Sequence, residues 1–292
     1  MVPSSTRRRA LAGACSAALA AVAGCSLVDR DERATVSRSV DASGVDSVAV
    51  VSDTGHLTVR GHDGEDVRLY GEKTAGSEDG IDALSLSHRR DGDRLVVSTE
   101  RGDGPELTGW LRTPNLHLTV DVPADVAVER TTTETGDLEV RQVAGSVLAR
   151  AEVGDLYVAN VEGSVDARNA TGDVTVRDVT GPIAARTETG DVSADGVIER
   201  LATETGEIMA TIRGLGGDAM IQDDAGDVSL AIANSLDVTI AASVDAGELN
   251  VHGDGLATAR EAANSMRIVV GDGTQRLEID VDTGDCSITT LG

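Results

Sequence analysis

The sequence predicts an all-β protein whose greater part is a parallel β-solenoid with coils of about 18 residues, entered through an antiparallel β cap. Three observations lead there. Gly136, Gly154, Gly172 and Gly190 are each 18 residues apart, and Gly145, Gly163 and Gly181 fall midway between them. Between the glycines, aliphatic residues alternate with polar ones, the period-two pattern of half-buried strands. The apolar content is 40%, yet there is no phenylalanine, and Tyr70, Trp110 and Tyr157 are the only aromatic side chains. Such a core must be thin and aliphatic. Self-similarity at this period marks a coil that cannot bury its apolar side until the next coil stacks on it.

The elements follow in chain order. Residues 1–24 read as a signal peptide of the twin-arginine type: Arg7 and Arg8 form the export pair, although Ala10 stands where a bulky apolar residue is usual. The apolar run from Ala10 to Val22 is about 13 residues, short of the roughly 20 needed to span a bilayer. A processed signal is therefore expected. Val22-Ala23-Gly24-Cys25 resembles a lipobox, in which the cysteine is lipidated and becomes the first mature residue. Acyl chains on Cys25 would hold the exported protein to the outer face of the cell membrane. Residues 25–40, polar and charged, are expected to be a lipid-anchored tether. With Cys15 lost and Cys25 modified, Cys286 has no partner for a disulfide. It stands where other repeats place valine or leucine, as a small buried hydrophobe.

Residues 41–125 show strand alternation without a fixed period, in "VDSVAVVSDTGHLTVRG", "LSLSHRRDGDRLVVSTE" and "LHLTVDVPADVAVER". Antiparallel hairpins forming an entry cap are expected there. The solenoid occupies 126–292. In the coil 172–189, Val174, Val176, Ile183 and Ala185 point inward, while Asp173, Thr175 and Arg177 point outward. Glycine suits the corner because the chain turns there through positive φ, and the acid that follows can accept backbone N–H groups in the turn. Beyond Gly190 the intervals change to 16, 20 and 21 at Gly206, Gly226 and Gly247. Residues 253–265 break the register and are expected to form a loop or a short helix.

Stacking at about 4.8 Å generates two charged ladders. The acidic one is Asp137, Asp155, Asp173, Asp191, Glu207, Asp227 and Glu248; the basic one is Arg150, Arg168 and Arg186. Net charge is −25, and loss of the three signal-peptide arginines makes it −28, with Lys73 the only lysine. That charge excludes nucleic acid as a partner. An acidic, lysine-poor surface resembles proteins of salt-accumulating halophiles, where counterions screen self-repulsion.

No catalytic or metal-ligating residue stands out. His56, His62, His88, His117 and His252 are scattered, without a nucleophile or H-E-x-x-H motif. The acidic ladder follows from the repeat and singles out no carboxylate pair of the kind glycan cleavage needs. Each corner has one glycine where a calcium-binding β-roll has a doubled pair. A polysaccharide lyase or hydrolase and a calcium-binding roll are thus the alternatives to a non-enzymatic module.

"LHLTVDVPADVAVERTTTETGDLEV", the recurring T-G-D-[LV] corners and the closing "RIVVGDGTQRLEIDVDTGDCSITT" resemble the DUF4097 family of adhesin-type β-helix domains, over residues 45–292. The resemblance implies a right-handed parallel β-helix or closely related solenoid. The expected protein is a cell-surface lipoprotein, acting as an adhesin-like binding module or an envelope structural element. It has no cofactor, the membrane as one partner through its anchor, and a surface protein or glycan as another. Trp110 and Tyr157 are the aromatic candidates for an exposed contact.

Overall fold

The computed structural model describes residues 32–102, 114–253, 256–262 and 264–291. Its 23 strands join in one hydrogen-bonded sheet that folds into two facing walls. One short helix, Glu78–Asp82, starts at Ser77, whose hydroxyl accepts the Gly80 N–H, and packs against the strand Asp66–Ala75 at one end of the stack.

The repeat works as the spacing requires. Val174 pairs with Val192 in parallel register, and so do Val147 with Val165, Leu138 with Leu156 and Ile183 with Ile198. Alternation then places equivalent side chains on one face. Val174, Val176, Ile183 and Ala185 are buried, while Asp173 and Arg177 are exposed. One inward row runs Leu118, Leu57, Leu138, Leu156, Val174, Val192, Ile208, Val228, Cys286 and Leu249. Each of these is at most 8% exposed. Burial pushes the Cys286 thiol up to about 12, so it packs as an apolar group.

The corner glycines are also where the sequence puts them. Gly172 has φ +127, and a Cβ there would collide with the Gly154 carbonyl of the coil before. The ladder does not stop at the corner: Gly154 N–H donates to the Thr171 carbonyl and Leu156 N–H to that of Asp173. A second row of corners uses Gln142, Asn160 and Asp178 at φ near +55, followed 18 residues on by Gly196 at φ +149. Asn and Asp tolerate the left-handed region through local hydrogen bonding; Gln142 does so against its ordinary preference.

Several expectations change. The tether does not extend to residue 40, because Glu32–Asp41 is a strand paired antiparallel with Asp66–Ala75. The segment 41–125 is not purely an antiparallel cap. Ser47–Thr54 and Leu57–His62 pair in parallel with the strands Ala127–Thr135 and Leu138–Ala144, so the stack already begins at residue 47. Arg94–Arg101 and Asn115–Pro123, later in sequence, form the coil outside them. Antiparallel strands come only beyond that, at Leu84–Asp91, Asp66–Ala75 and Glu32–Asp41.

The other end repeats this arrangement. The strands Gln275–Thr283 and Cys286–Leu291 slot between the coil ending at Ala233 and the later-stacked pair Val238–Ala246 and Leu249–His252. Gly226 and Gly247 are therefore not neighbours; Gly284 lies between them. Leu256–Ala262, expected as loop or helix, is a strand, antiparallel to Ser265–Val270. Antiparallel strands cover both coil edges at the N-terminal end and the edge of Val238–Ala246 at the other, where they block further pairing.

Candidate functional site

Three sets of side chains outside or beside the core are organised by the stacking. The first is the acid that follows each corner glycine. Its carboxylate does not close its own turn, as expected, but accepts the N–H of the acid one coil on. Asp155 N donates to Asp137 Oδ1 at 2.9 Å, Asp173 N to Asp155 at 3.0 Å, Asp191 N to Asp173 at 2.9 Å and Glu207 N to Asp191 at 2.8 Å. The row resumes with Asp285 N on Asp227 and Glu248 N on Asp285. Glu207, one methylene longer, makes no such rung to Asp227. Each aspartate carboxylate of the row is thus held by a backbone donor, which offsets part of the repulsion between like charges.

At the N-terminal end imidazole replaces carboxylate. Asp137 N donates to His56 Nδ1 at 3.3 Å and His56 N to His117 Nδ1 at 3.1 Å, with the two rings stacked 4.9 Å apart. His117 Nδ1 accepts only when unprotonated, and His56 Nδ1 also lies 3.1 Å from Asp137 Oδ2. Burial, and then the neighbouring His56, push the His117 pKa below its ordinary value.

The second set is an inward polar row behind the same corners: Asn169, Thr187, Thr203 and Asp223. Asn169 Nδ2 donates to Gly154 O at 2.8 Å, Thr187 Oγ1 to Gly172 O at 3.0 Å and Thr203 Oγ1 to Gly190 O at 3.1 Å. Asp223, paired in register with Thr203, comes next. It is fully buried, and neither carboxyl oxygen has a partner of normal geometry. Desolvation pushes its pKa up to about 6; the nearby Ala225 N–H opposes that, and the charges of Asp224, Asp227 and Asp282 add to it. The sequence signal for this row is a Thr, Asn or Asp three residues before Gly136, Gly172, Gly190, Gly206 and Gly226, interrupted by Ala151 before Gly154.

The third set is a groove of about 240 Å³ on the outer face of the wall built from Val147–Val153, Val165–Thr171 and Pro182–Thr189 and the strand segments 197–205 and 219–225. Register brings Arg150, Arg168 and Arg186 side by side, as the spacing predicts. Arg200 joins them one strand further on, opposite Ala184. It escaped the sequence reading because its coil is two residues short: the 16-residue interval from Gly190 to Gly206 brings it level with Ala184, off the 18-residue count. Ala170 and Ala202 break the bulk of the rows and open the groove, and Glu188, Glu204 and Asp224 form its other flank. Arg150 Nη2 bonds Glu152 at 3.2 Å, and Arg168 is held by both oxygens of Asp166. Arg186 and Arg200, both exposed, make no ion pair among the described residues.

The opposite wall carries a wider, shallower depression of about 560 Å³ floored by Thr175, Ser193, Met209, Ser229 and Ser287. Its charged residues are already satisfied. Arg213 grips Asp195 through both nitrogens, and Arg177 donates to the Tyr157 hydroxyl. Tyr157, expected to be exposed, is half-buried beneath that guanidinium. Arg7, Arg8, Cys25 and Trp110 lie outside the described residues. Among the described residues no three His, Cys, Asp or Glu side chains converge in a metal-binding arrangement, and no helix is long and apolar enough to cross a membrane.

The model of the Toastrack DUF4097 family matches residues 30–289. No curated protein matches the chain. Among solved structures, a putative cell adhesion protein from Clostridium sporogenes aligns at 10% identity over 90% of this chain and 100% of its own, with a TM-score of 0.30. A putative adhesin from Bacteroides fragilis aligns at 11% identity over 88% and 97%, with a TM-score of 0.34. A putative lipid binding protein from Parabacteroides distasonis aligns at 12% identity over 88% and 97%, with a TM-score of 0.38. Likeness at this level identifies no ligand.

Proposed function

This chain belongs to the Toastrack DUF4097 family, and we propose that it works outside the cell as a non-catalytic binding module, displayed on a rigid β-solenoid and held to the membrane by a lipid. The solenoid is right-handed with coils of about 18 residues, which is supported by the 18-residue pairing register and the general hand of parallel crossovers. Export rests on Arg7 and Arg8 and attachment on Cys25, with the tether confined to the residues before Glu32. The acidic surface suits concentrated salt and disfavours nucleic acid, whose phosphates present charge on every side.

The observation that carries the reading is the groove across the strands bearing Arg150, Arg168, Arg186 and Arg200. Its floor is a sheet whose hydrogen bonds continue around the glycine corners, with register shifts at Ile183/Ala184 and Ile198/Arg200, so the backbone positions from which the arginines project are fixed before any ligand arrives. Pre-organisation of this kind lowers the entropy cost of binding.

Two measurements test the proposal. Cys25→Ser should move the protein from the membrane fraction to the soluble exported fraction; unchanged fractionation removes the anchor. The full chain should bind isolated envelope polysaccharide or surface protein without generating new reducing ends, and Ala202→Trp, which fills the groove, should abolish that binding. Turnover of the polysaccharide would replace the module with an enzyme.

A further inference from the structure

From the groove's charge arrangement we infer that its ligand is a polyanionic glycan, a sugar chain bearing carboxylate or sulfate groups, laid along the stack axis across the arginine row. The inference rests on the binding-module reading above and adds the class of ligand. Its starting point is an imbalance of charge. The chain carries 50 acidic residues against 25 basic ones, so guanidinium groups should each find a carboxylate without difficulty. Arg213 and Arg60 do so, with Asp195 and Asp121. Yet three arginines are stacked in register on adjoining strands at about the 4.8 Å strand spacing, where they repel one another. Arg186, with Arg200 diagonal to it on the next strand, has no ion-pair partner among the described residues.

A guanidinium presents paired donors that match a planar carboxylate or a sulfate face. A row of them at strand spacing fits an anion that repeats along a polymer better than a single small ion. The flank of Glu188, Glu204 and Asp224 narrows the choice. Carboxylates repel a ligand that is charged on every side, such as a polyphosphate, but they accept hydrogen bonds from hydroxyl groups. A sugar acid offers both, with its anionic groups toward the arginines and its hydroxyls toward the acids. Ala170 and Ala202 leave the space for the rings.

The test uses the full chain and isothermal titration with polygalacturonate as carboxylate probe, κ-carrageenan, with one sulfate per disaccharide and free hydroxyls, as sulfate probe, and dextran as neutral probe. At least one anionic polymer should bind, dextran should not, and affinity should fall as salt is raised. The double variant Arg186→Gln, Arg200→Gln should weaken binding about tenfold or more, the loss expected for two charge-assisted contacts. Arg213→Gln on the opposite wall should leave it unchanged. If the double variant unfolds, Arg186→Lys alone serves, keeping charge while losing the paired donors and still weakening binding. Equal binding of dextran, or wild-type affinity in the double variant, would overturn the polyanion while leaving the module intact. Failure of every glycan and surface protein to bind would remove both.

Discussion

Between Gly136 and Gly206 each corner of the stack is bracketed by acceptors outside and, from Gly154 on, donors inside: aspartates take the next coil's N–H, and Asn169, Thr187 and Thr203 give a hydrogen to a glycine carbonyl. Towards either end the same positions hold different chemistry. At the N-terminal end His56 and His117 stand in the acceptor row; at the C-terminal end Asp223 stands in the donor row. The middle of the row keeps one pattern at every pH where aspartate is ionised. The ends depend on protonation, and in opposite directions. His117, its pKa depressed, contributes stability that is present above its unfolded value of about 6.5 and lost as pH falls through the folded value. Asp223, its pKa raised from 3.8 to about 6, contributes stability that is present below 3.8 and lost as pH rises through about 6. Only in the protonated form can Asp223 donate to the Gly206 carbonyl as Thr203 does to that of Gly190.

Variants at these positions would break the comparison or sharpen it. The largest effect is expected from Gly172→Val in the regular middle. A side chain there must leave φ +127 and push aside the Gly154 backbone, so thermal unfolding should show a loss of about 4 kcal/mol or more, well beyond an ordinary glycine effect. A melting temperature equal to wild type would remove the corner assignment. Next, Asp223→Asn should supply the missing donor and stabilise by about 3 kcal/mol near pH 8, with little gain near pH 4, as two pKa units convert. Equal gains at both values would show that Asp223 is not protonated by folding. Thr187→Val should cost about 1 kcal/mol at every pH, the worth of one buried hydrogen bond and its orphaned carbonyl. The smallest effect is that of His117→Asn, an acceptor without a titration near neutrality; its unfolding should lose less stability than wild type between pH 7 and 5. Acid sensitivity identical to wild type would place that titration elsewhere.

Much of this was legible because the repeat is written in local terms. Val174 and Val192 occupy equivalent positions in two coils, and stacking them needs no information from outside those coils. The glycine at the corner and the acid after it are likewise fixed by turn geometry. The direction of the carboxylate's hydrogen bond was not legible, since the Asp155 carboxylate lies beside its own turn in sequence and, only after stacking, beside the turn of Asp173, whose N–H it accepts. The groove was half visible: Arg150, Arg168 and Arg186 keep the 18-residue count, whereas Arg200 is displaced by the short coil before Gly206.

By itself the sequence determined that the protein is a thin aliphatic stack with glycine corners and charged outer rows, because alternation and period act between residues a strand or a coil apart. Only the tertiary structure decided the order of coils at the ends. Gly284-Asp285 and Gly247-Glu248 carry the same corner chemistry, and either could have stacked on Gly226. Equivalent edges compete on equal local terms, so the choice falls to whichever arrangement lets the strands that follow close both walls together.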